Sequence, residues 1–197
     1  MFVKASIPVL ALFGLVAKAS QSVIPGYNVV DIEWQVQVTA GGPTVNVTGT
    51  VEEVYAHLKT LNPGFEEEFP PVAHNDVIEA RGADYTMQSY YCHGPWPTCS
   101  WYRIQQGVSY LDGVPGRPSQ GPGPGSCGRV SCSYNSAIYW CNDWAPQNNY
   151  QYTLNSFYDI ASGANFIGQT CLTGTDSTSG QIFYTDNWNV IVRADSC

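Results

Sequence analysis

Residues 121–143, GPGPGSCGRVSCSYNSAIYWCND, decide the fold, because they bring three cysteines and an aromatic hairpin close together in the chain. From Arg129 to Tyr134 and again from Ala137 to Cys141 the residues alternate by side, with Val130, Cys132 and Tyr134 on one side of the first run and Ile138 and Trp140 on one side of the second. This period of two is typical of half-buried strands. We expect Asn135 and Ser136 to form the turn that joins the two strands.

The first two cysteines of this stretch need different partners. On one extended strand, Cys127 and Cys132 would lie about 16 Å apart and on opposite faces. A disulfide requires a Cα separation of about 4.4 to 6.8 Å. The sequence therefore predicts that each of these cysteines is bonded elsewhere.

Residues 1–19 have the features of a secretory signal. Lys4 provides the positive charge, residues 7–16 form a short apolar core, and Ala17-Lys18-Ala19 matches a cleavage site before Ser20. The apolar core is too short to span a bilayer. We expect a secreted, extracellular protein without a transmembrane segment.

Composition excludes some classes of function. The formal net charge is −8, with eight basic against sixteen acidic residues, so the clustered Lys and Arg of a nucleic-acid-binding protein are lacking. All seven cysteines lie between Cys92 and Cys197. In a secreted chain they predict a disulfide framework confined to the C-terminal half, with one thiol left over.

Residues 20–80 are predicted to form a strand-strand-helix extension. Alternation over 27–38 and 44–47 indicates a hairpin, and the capping box of Thr50 and Glu53 begins a helix that ends near Asn62. Asn46 lies in an N-x-T sequon and is predicted to face solvent as a glycosylation site. The acidic run 66–68 is interpreted as a solvated loop.

Residues 81–197 are predicted to form a cysteine-rich domain. Strands are expected at 84–92, 181–185 and 188–193, and helices at 100–111 and 153–167, besides the central hairpin. The Gly/Pro-rich residues 113–126 are expected to form a stiff surface loop without paired strand. The order of elements favours an α+β fold, an antiparallel sheet with helices packed on one face.

Three features of the chain carry a family likeness. They are the run CGRVSCSYNSAIYWC, a following helix that ends at Cys171, and the terminal run GQIFYTDNWNVIVRADSC. Over about residues 90–197 the chain resembles secreted cysteine-rich fungal proteins related to a virally encoded smut-fungus killer toxin, some of them candidate plant-pathogen effectors. The resemblance implies a disulfide-stabilised α/β sandwich. By position it also implies three disulfides and leaves Cys99 unpaired: Cys92 with Cys171, Cys127 with Cys141, and Cys132 with Cys197.

That toxin acts without catalysis, through calcium channels, and a basic residue important there directly precedes its equivalent of Cys132. Here Val130 and Ser131 hold the preceding positions, and Arg129 lies one step further away. This departure favours a more general target-binding or cell-inhibiting role.

Motifs for catalysis are absent from the sequence. His57, His74 and His93 show no metal-ligand spacing, and no G-x-S-x-G, H-E-x-x-H or phosphate loop occurs. We therefore expect no enzyme activity, metal or cofactor. A glycoside hydrolase remains an alternative if two acidic residues converge, with Asp143, Asp159 and Asp186 as the candidates.

The leading hypothesis is a monomeric, non-enzymatic toxin-like or effector-like protein that binds a surface protein or cell-wall glycan of a host or competitor cell. A cell-wall carbohydrate-binding protein is the alternative, with exposed aromatic residues stacking on sugar rings. For the binding face we expect the loop 117–125 with Arg129, because a stiff loop loses little entropy on contact. The candidate binding residues are Arg117, Arg129, Tyr134, Tyr139 and Trp140, although sheet core is the competing role for the aromatic ones.

Overall fold

The computed structural model describes residues 24–70, 85–145 and 151–197. The predicted signal 1–19, His74 and the other residues of 71–84 lie outside these residues. The α+β fold class is confirmed. The strands are β1 Asn28–Val30, β2 Glu33–Gln37, β3 Thr44–Thr48, β4 Met87–Cys92, β5 Cys99–Ser100, β6 Gly116–Gln120, β7 Ser126–Ser133, β8 Ser136–Asn142, β9 Tyr152–Thr153, β10 Ser177–Thr178, β11 Gly180–Tyr184 and β12 Trp188–Ala194; the helices are α1 Val51–Leu61, α2 Phe65–Glu68, α3 Trp101–Gly113 and α4 Phe157–Thr170.

Six strands form the larger sheet, in the order β1-β7-β8-β12-β11-β4. All neighbours are antiparallel except β1 and β7, which pair in parallel. The hairpin of β7 and β8 is the one predicted from 121–143, but its turn residues are Tyr134 and Asn135. Both have positive φ, 48° and 59°, as the two-residue type I′ turn requires, and so the turn lies one residue earlier than predicted.

A second sheet has the order β3-β2-β6-β9. The predicted single strand 27–38 is in fact two strands, because β1 pairs with β7 in the larger sheet while β2 pairs with β3 and β6 in the second. The expectation that 113–126 holds no paired strand is also wrong. β6, Gly116–Gln120, pairs with both β2 and β9, and the loop is reduced to residues 121–125.

Pro118 fits in β6 because of its place in the hydrogen-bond ladder. Its carbonyl oxygen accepts the N–H of Leu154 at 3.1 Å. In an antiparallel strand the backbone N and O of one residue point to the same neighbouring strand. The N–H that Pro118 lacks would therefore point toward the end of β9, and its absence removes no hydrogen bond between β6 and β2. The number of prolines therefore does not decide whether this segment can pair as a strand, because the effect of each proline depends on the side to which its missing N–H would point.

Other element boundaries also differ from the prediction, and the acidic run 66–68 is helical rather than a loop. β4 begins at Met87, and α4 begins at Phe157, because residues 152–153 form β9 and Ser156 caps the helix in a capping box with Asp159. The acidic run falls in the short helix α2, where Glu66 pairs with Lys59 at 2.9 Å.

Helices α1, α3 and α4 and the inner face of the second sheet share one core on one side of the larger sheet. Trp34 of β2 stacks on Phe157 of α4 with ring centroids 4.5 Å apart. The opposite side of the larger sheet is covered as well, by Ile24 and Trp96 among others. All seven positions of β8 are consequently buried, so this strand is not the half-buried one that the alternation predicts.

All seven cysteines lie within the described residues, and Cys99 is the one without a disulfide. The bonds join Cys92 to Cys171, Cys127 to Cys141, and Cys132 to Cys197, the same pairs that the resemblance implies. The Cys99 thiol donates to the Thr178 carbonyl oxygen at 3.4 Å, and burial raises its pKa to about 12. This thiol is suited to packing rather than to nucleophilic chemistry.

Candidate binding surface

Two of the candidate binding residues are buried, and their expected role in binding is wrong. Trp140 and Tyr139 lie on opposite faces of β8, and their exposed fractions are 0% and 1%. Trp140 packs in the core beneath the helices, and the Tyr139 hydroxyl donates to Asp195. Because both faces of β8 are covered, neither ring can stack on a ligand.

The two arginines are exposed or half-buried, but each is engaged within the molecule. In β6, Arg117 donates from Nε to the Leu154 carbonyl oxygen at 3.1 Å and from Nη2 to Asn155 Oδ1 at 3.2 Å. Arg129 of β7 donates to the Ser196 carbonyl oxygen at 3.0 Å and lies 3.6 Å from the Asp195 carboxylate. Since the two belong to different sheets, the binding face predicted from 117–125 and Arg129 is not one continuous element.

Tyr134 is the most accessible of the candidates, with 73% of its surface exposed. It projects from the turn between β7 and β8, and the Arg103 guanidinium lies 3.7 Å from its ring centroid. A guanidinium over an aromatic ring is attracted by the ring's quadrupole, so this contact fixes the ring without covering its second face. Tyr102, which is 57% exposed, precedes Arg103 in the first turn of α3.

We call this surface the Tyr134 patch and define it by Tyr102, Arg103, Gln106 and Tyr134. It borders a cleft of about 270 Å³ between α1, α3 and the β7–β8 turn. A smaller cleft of about 170 Å³ lies along α1 and shares two lining residues with the first, Glu52 and Tyr110. The exposed Tyr134 ring therefore lies at the rim of a groove, where a ligand could be held from two sides.

Hydrogen bonds hold the walls of the groove in place. Glu52 of α1 accepts from the Ser131 hydroxyl at 2.6 Å and from the Cys132 N–H at 3.3 Å, which fastens α1 to β7. Arg103 Nη1 donates to Gln106 Oε1 at 3.0 Å. Because a guanidinium has five N–H donors, this bond leaves Arg103 able to receive a carboxylate or carbonyl oxygen of a ligand.

Asp176 sets the start of α3 and with it the patch. Its carboxylate accepts from the Tyr102 N–H at 2.6 Å and from the Ser100 hydroxyl at 2.7 Å, and its carbonyl oxygen accepts the Trp101 N–H at 2.8 Å. These hydrogen bonds hold the pKa of Asp176 below its usual value. Ser100 is the N-cap, and Asp176 satisfies two further N–H donors of the first turn, those of Trp101 and Tyr102.

We expect Asp176→Ala to lower the free energy of unfolding by about 1 kcal/mol, the usual cost of losing a helix cap. The folded-state pKa is depressed, so the charged carboxylate stabilises the fold above the ordinary aspartate value of about 3.9, and this stabilisation is lost as the pH falls through the lower folded value. Urea unfolding of the wild type, Asp176→Ala and Asp176→Asn from pH 7 to pH 2 measures the loss of free energy of unfolding and its dependence on pH. An advantage of the wild type that persists unchanged at pH 2 would contradict this role.

The acidic candidates for hydrolysis have structural partners. Asp143 accepts from Asn189 Nδ2 at 2.6 Å and from the Tyr27 hydroxyl at 3.1 Å, and burial raises its pKa. Asp159 accepts the N–H of Ser156 at 3.0 Å at the start of α4. Asp186 lies in the turn between β11 and β12 and contacts the Thr185 hydroxyl at 3.4 Å. Among the described residues there is also no group of three or more His, Cys, Asp or Glu side chains placed to hold a metal ion.

Sequence reasoning identified Tyr134 but missed Tyr102 and Arg103. A signal was present, since Ser100 caps α3 and the apolar spacing of Trp101, Ile104 and Val108 assigns the buried face. Tyr102 and Arg103 fall on the other face of the first turn. What the sequence cannot give is their distance from the β7–β8 turn, which depends on how α3 packs against the larger sheet.

No helix of sufficient length and apolarity to cross a bilayer occurs within residues 24–70, 85–145 and 151–197. Comparison with protein-family models, with curated proteins and with solved structures found no match for this chain.

Proposed function

We propose that this protein is secreted and acts outside the producing cell as a non-enzymatic, toxin-like or effector-like protein, which binds a target on a host or competitor cell through the Tyr134 patch. The observation that carries the proposal is an exposed tyrosine on a tight turn, stacked on an arginine beside a groove. Tyr and Arg are enriched among the residues that dominate binding energy in protein interfaces.

Two further features support action outside the cell. Three disulfides form and persist in oxidising compartments, and residues 1–19 have the pattern of a secretion signal. The likeness to killer-toxin-related fungal proteins points the same way, toward binding rather than turnover. A cross-linked scaffold also suits a binding protein, because its surface is already ordered before contact.

Carbohydrate binding is the second candidate, and the free face of the Tyr134 ring favours it. Arg103 occupies one face of this ring, and a sugar could stack on the other. Both candidate functions use the Tyr134 patch, so the same variants test both of them. Binding to intact cells and binding to isolated polysaccharides distinguish the two.

We expect Tyr134→Asn to weaken target binding by tenfold or more, because truncation of an interface hot spot typically costs about 2 kcal/mol or more. Asparagine tolerates the left-handed backbone of residue 134, so the turn is kept. Tyr134→Phe retains the ring and should bind nearly as the wild type does. The matched control is Tyr90→Asn on β4, another exposed tyrosine, four strands away from β7 in the larger sheet.

The measurements are growth inhibition of fungal and plant cells, retention on the same intact cells, and retention on insoluble chitin and β-glucan. Loss of cell binding in Tyr134→Asn and Arg103→Ala, with Tyr90→Asn unaffected, supports the protein-binding proposal. Saturable retention on a polysaccharide that depends on Tyr134 favours the carbohydrate-binding candidate. Equal activity of a folded Tyr134→Asn variant overturns the assigned surface, and release of soluble sugar overturns the non-enzymatic assignment.

A further inference from the structure

Asn46-Val47-Thr48 is the only N-x-S/T sequon in the sequence, and it lies on β3. Among the described residues this strand forms one edge of the second sheet and has a neighbouring strand on one side only. Asn46 is exposed, and its Nδ2 donates to Glu33 Oε1 at 2.7 Å in a surface contact that water can replace. The amide nitrogen that a glycan would modify is therefore accessible on the folded chain.

The register of the second sheet shows what surrounds Asn46. It pairs with Gln35, and Gln35 pairs with Arg117 on the next strand. Directly paired residues of antiparallel strands point to the same face, so these three side chains form one row across the sheet. The opposite face carries Trp34 and Val36 and packs into the core, which leaves the row on the outer, polar face.

We infer that Asn46 carries an N-linked glycan that covers the outer face of the second sheet, including Arg117. This inference rests on the proposed secretion. The glycan would then cover one surface of the protein, and the Tyr134 patch, which lies on other elements, would stay accessible to a target.

The modification is a transfer from a lipid-linked oligosaccharide pyrophosphate. The Asn46 Nδ2 forms a bond to C1 of the first sugar as the bond from C1 to the pyrophosphate oxygen breaks. Nδ2 gives up one proton, and the lipid pyrophosphate leaves. No oxidation or reduction is involved.

Two properties of the outer face of the second sheet are consistent with a glycan that covers it. An edge strand offers unpaired backbone groups to other chains, and natural proteins block such edges with charge, bulges or coverage. β3 has no charged residue in its sequence TVNVT, so its own side chains provide little of that protection. Arg117, the candidate binding residue nearest to the sequon in the sheet register, is already bonded to Leu154 and Asn155 and would lose no partner beneath the glycan.

The first experiment measures the mass of the protein secreted by yeast, once with its own residues 1–19 and once with a host secretion leader before Ser20. The wild type and Thr48→Ser should carry a glycan that peptide-N-glycosidase removes, converting Asn46 to aspartate. Thr48→Ala keeps Asn46 but destroys the sequon and should be unmodified, as should Asn46→Gln. An unmodified Asn46 in wild-type protein collected from the medium overturns the inference.

The two leaders separate this inference from the proposed function. Glycosylation with the host leader, together with retention of the chain in the cell with its own leader, would sink the secretion proposal and leave the modification site standing. Secretion with either leader but without a glycan would contradict the modification of Asn46 and leave the secretion proposal standing.

Coverage of the face is tested with Gln35→Lys, which places an amine between Asn46 and Arg117. Acylation of Lys by a succinimidyl ester should be several-fold slower at position 35 in the glycosylated protein than after enzymatic deglycosylation. Lys59 on α1 is the only other lysine after residue 19 and provides the internal control, whose rate should not change. Equal rates at position 35 in the two forms would show that the glycan leaves this face open.

Discussion

Replacing Trp34 with alanine is expected to lower the free energy of unfolding by about 3 to 5 kcal/mol, the range for deleting a buried tryptophan side chain. Trp34 has no exposed surface, stacks on Phe157 of α4, and donates from Nε1 to the Gly49 carbonyl oxygen at 2.7 Å. The substitution removes the stacking contact, leaves a cavity between β2 and α4, and frees a carbonyl oxygen.

Urea unfolding followed by tryptophan fluorescence and by far-ultraviolet circular dichroism measures this effect. We expect both signals to shift together, because residues 24–70 contribute strands to both sheets and helix α1 to the common core. Trp34→Phe keeps an aromatic ring against Phe157 and should lose less stability. A separate early transition for Trp34→Ala, with the main transition unmoved, would mean that residues 24–70 unfold independently of the cysteine-rich part.

The second large effect concerns the disulfide between Cys92 and Cys171. It joins β4 to the C-terminal end of α4 across 79 residues of sequence. Closing a loop of that length restricts the unfolded chain, and the chain-entropy relation gives a stabilisation of about 4.5 kcal/mol. We expect the double variant Cys92→Ala/Cys171→Ala to lose about that amount, with a lower denaturation midpoint in urea.

The matched comparison is Cys127→Ala/Cys141→Ala, whose bond spans 14 residues between paired positions of β7 and β8. The same relation gives a loss of about 3 kcal/mol for this shorter loop. A larger loss in this pair than in Cys92/Cys171 would show that contacts of the buried sulfurs in the folded state, rather than the restriction of the unfolded chain, dominate the stabilisation.

Local patterns predicted those elements whose partners lie nearby in the chain. The β7–β8 hairpin, the capped helix α1 and the terminal hairpin of β11 and β12 all follow from periodicity and turn chemistry within about twenty residues. The fold class follows from their order. The break of residues 27–38 into β1 and β2 was not predictable in this way, because it depends on β1 meeting β7 almost a hundred residues later.

Burial on both faces of β8 is the main reason why the predicted binding residues were only partly right. The alternation from Ala137 to Cys141 is interpreted as that of a strand with one solvent-exposed face, and nothing local reveals that Ile24 and Trp96 cover the second face. Tyr134 remained accessible because it lies in the turn, beyond the reach of either cover. Its pairing with Arg103 is a tertiary contact that no spacing rule contains.

The place of β12 in the larger sheet governs when this protein can fold during its synthesis. β12 is the last strand of the chain, yet it lies between β8 and β11 near the middle of the sheet. The β7–β8 hairpin therefore has no partner on its β8 side until residues 188–194 have left the ribosome. The final cysteine, Cys197, then closes onto Cys132 of the same hairpin. Assembly of the larger sheet thus requires residues 188–194, and a ribosome-bound chain truncated before Trp188 should remain sensitive to protease.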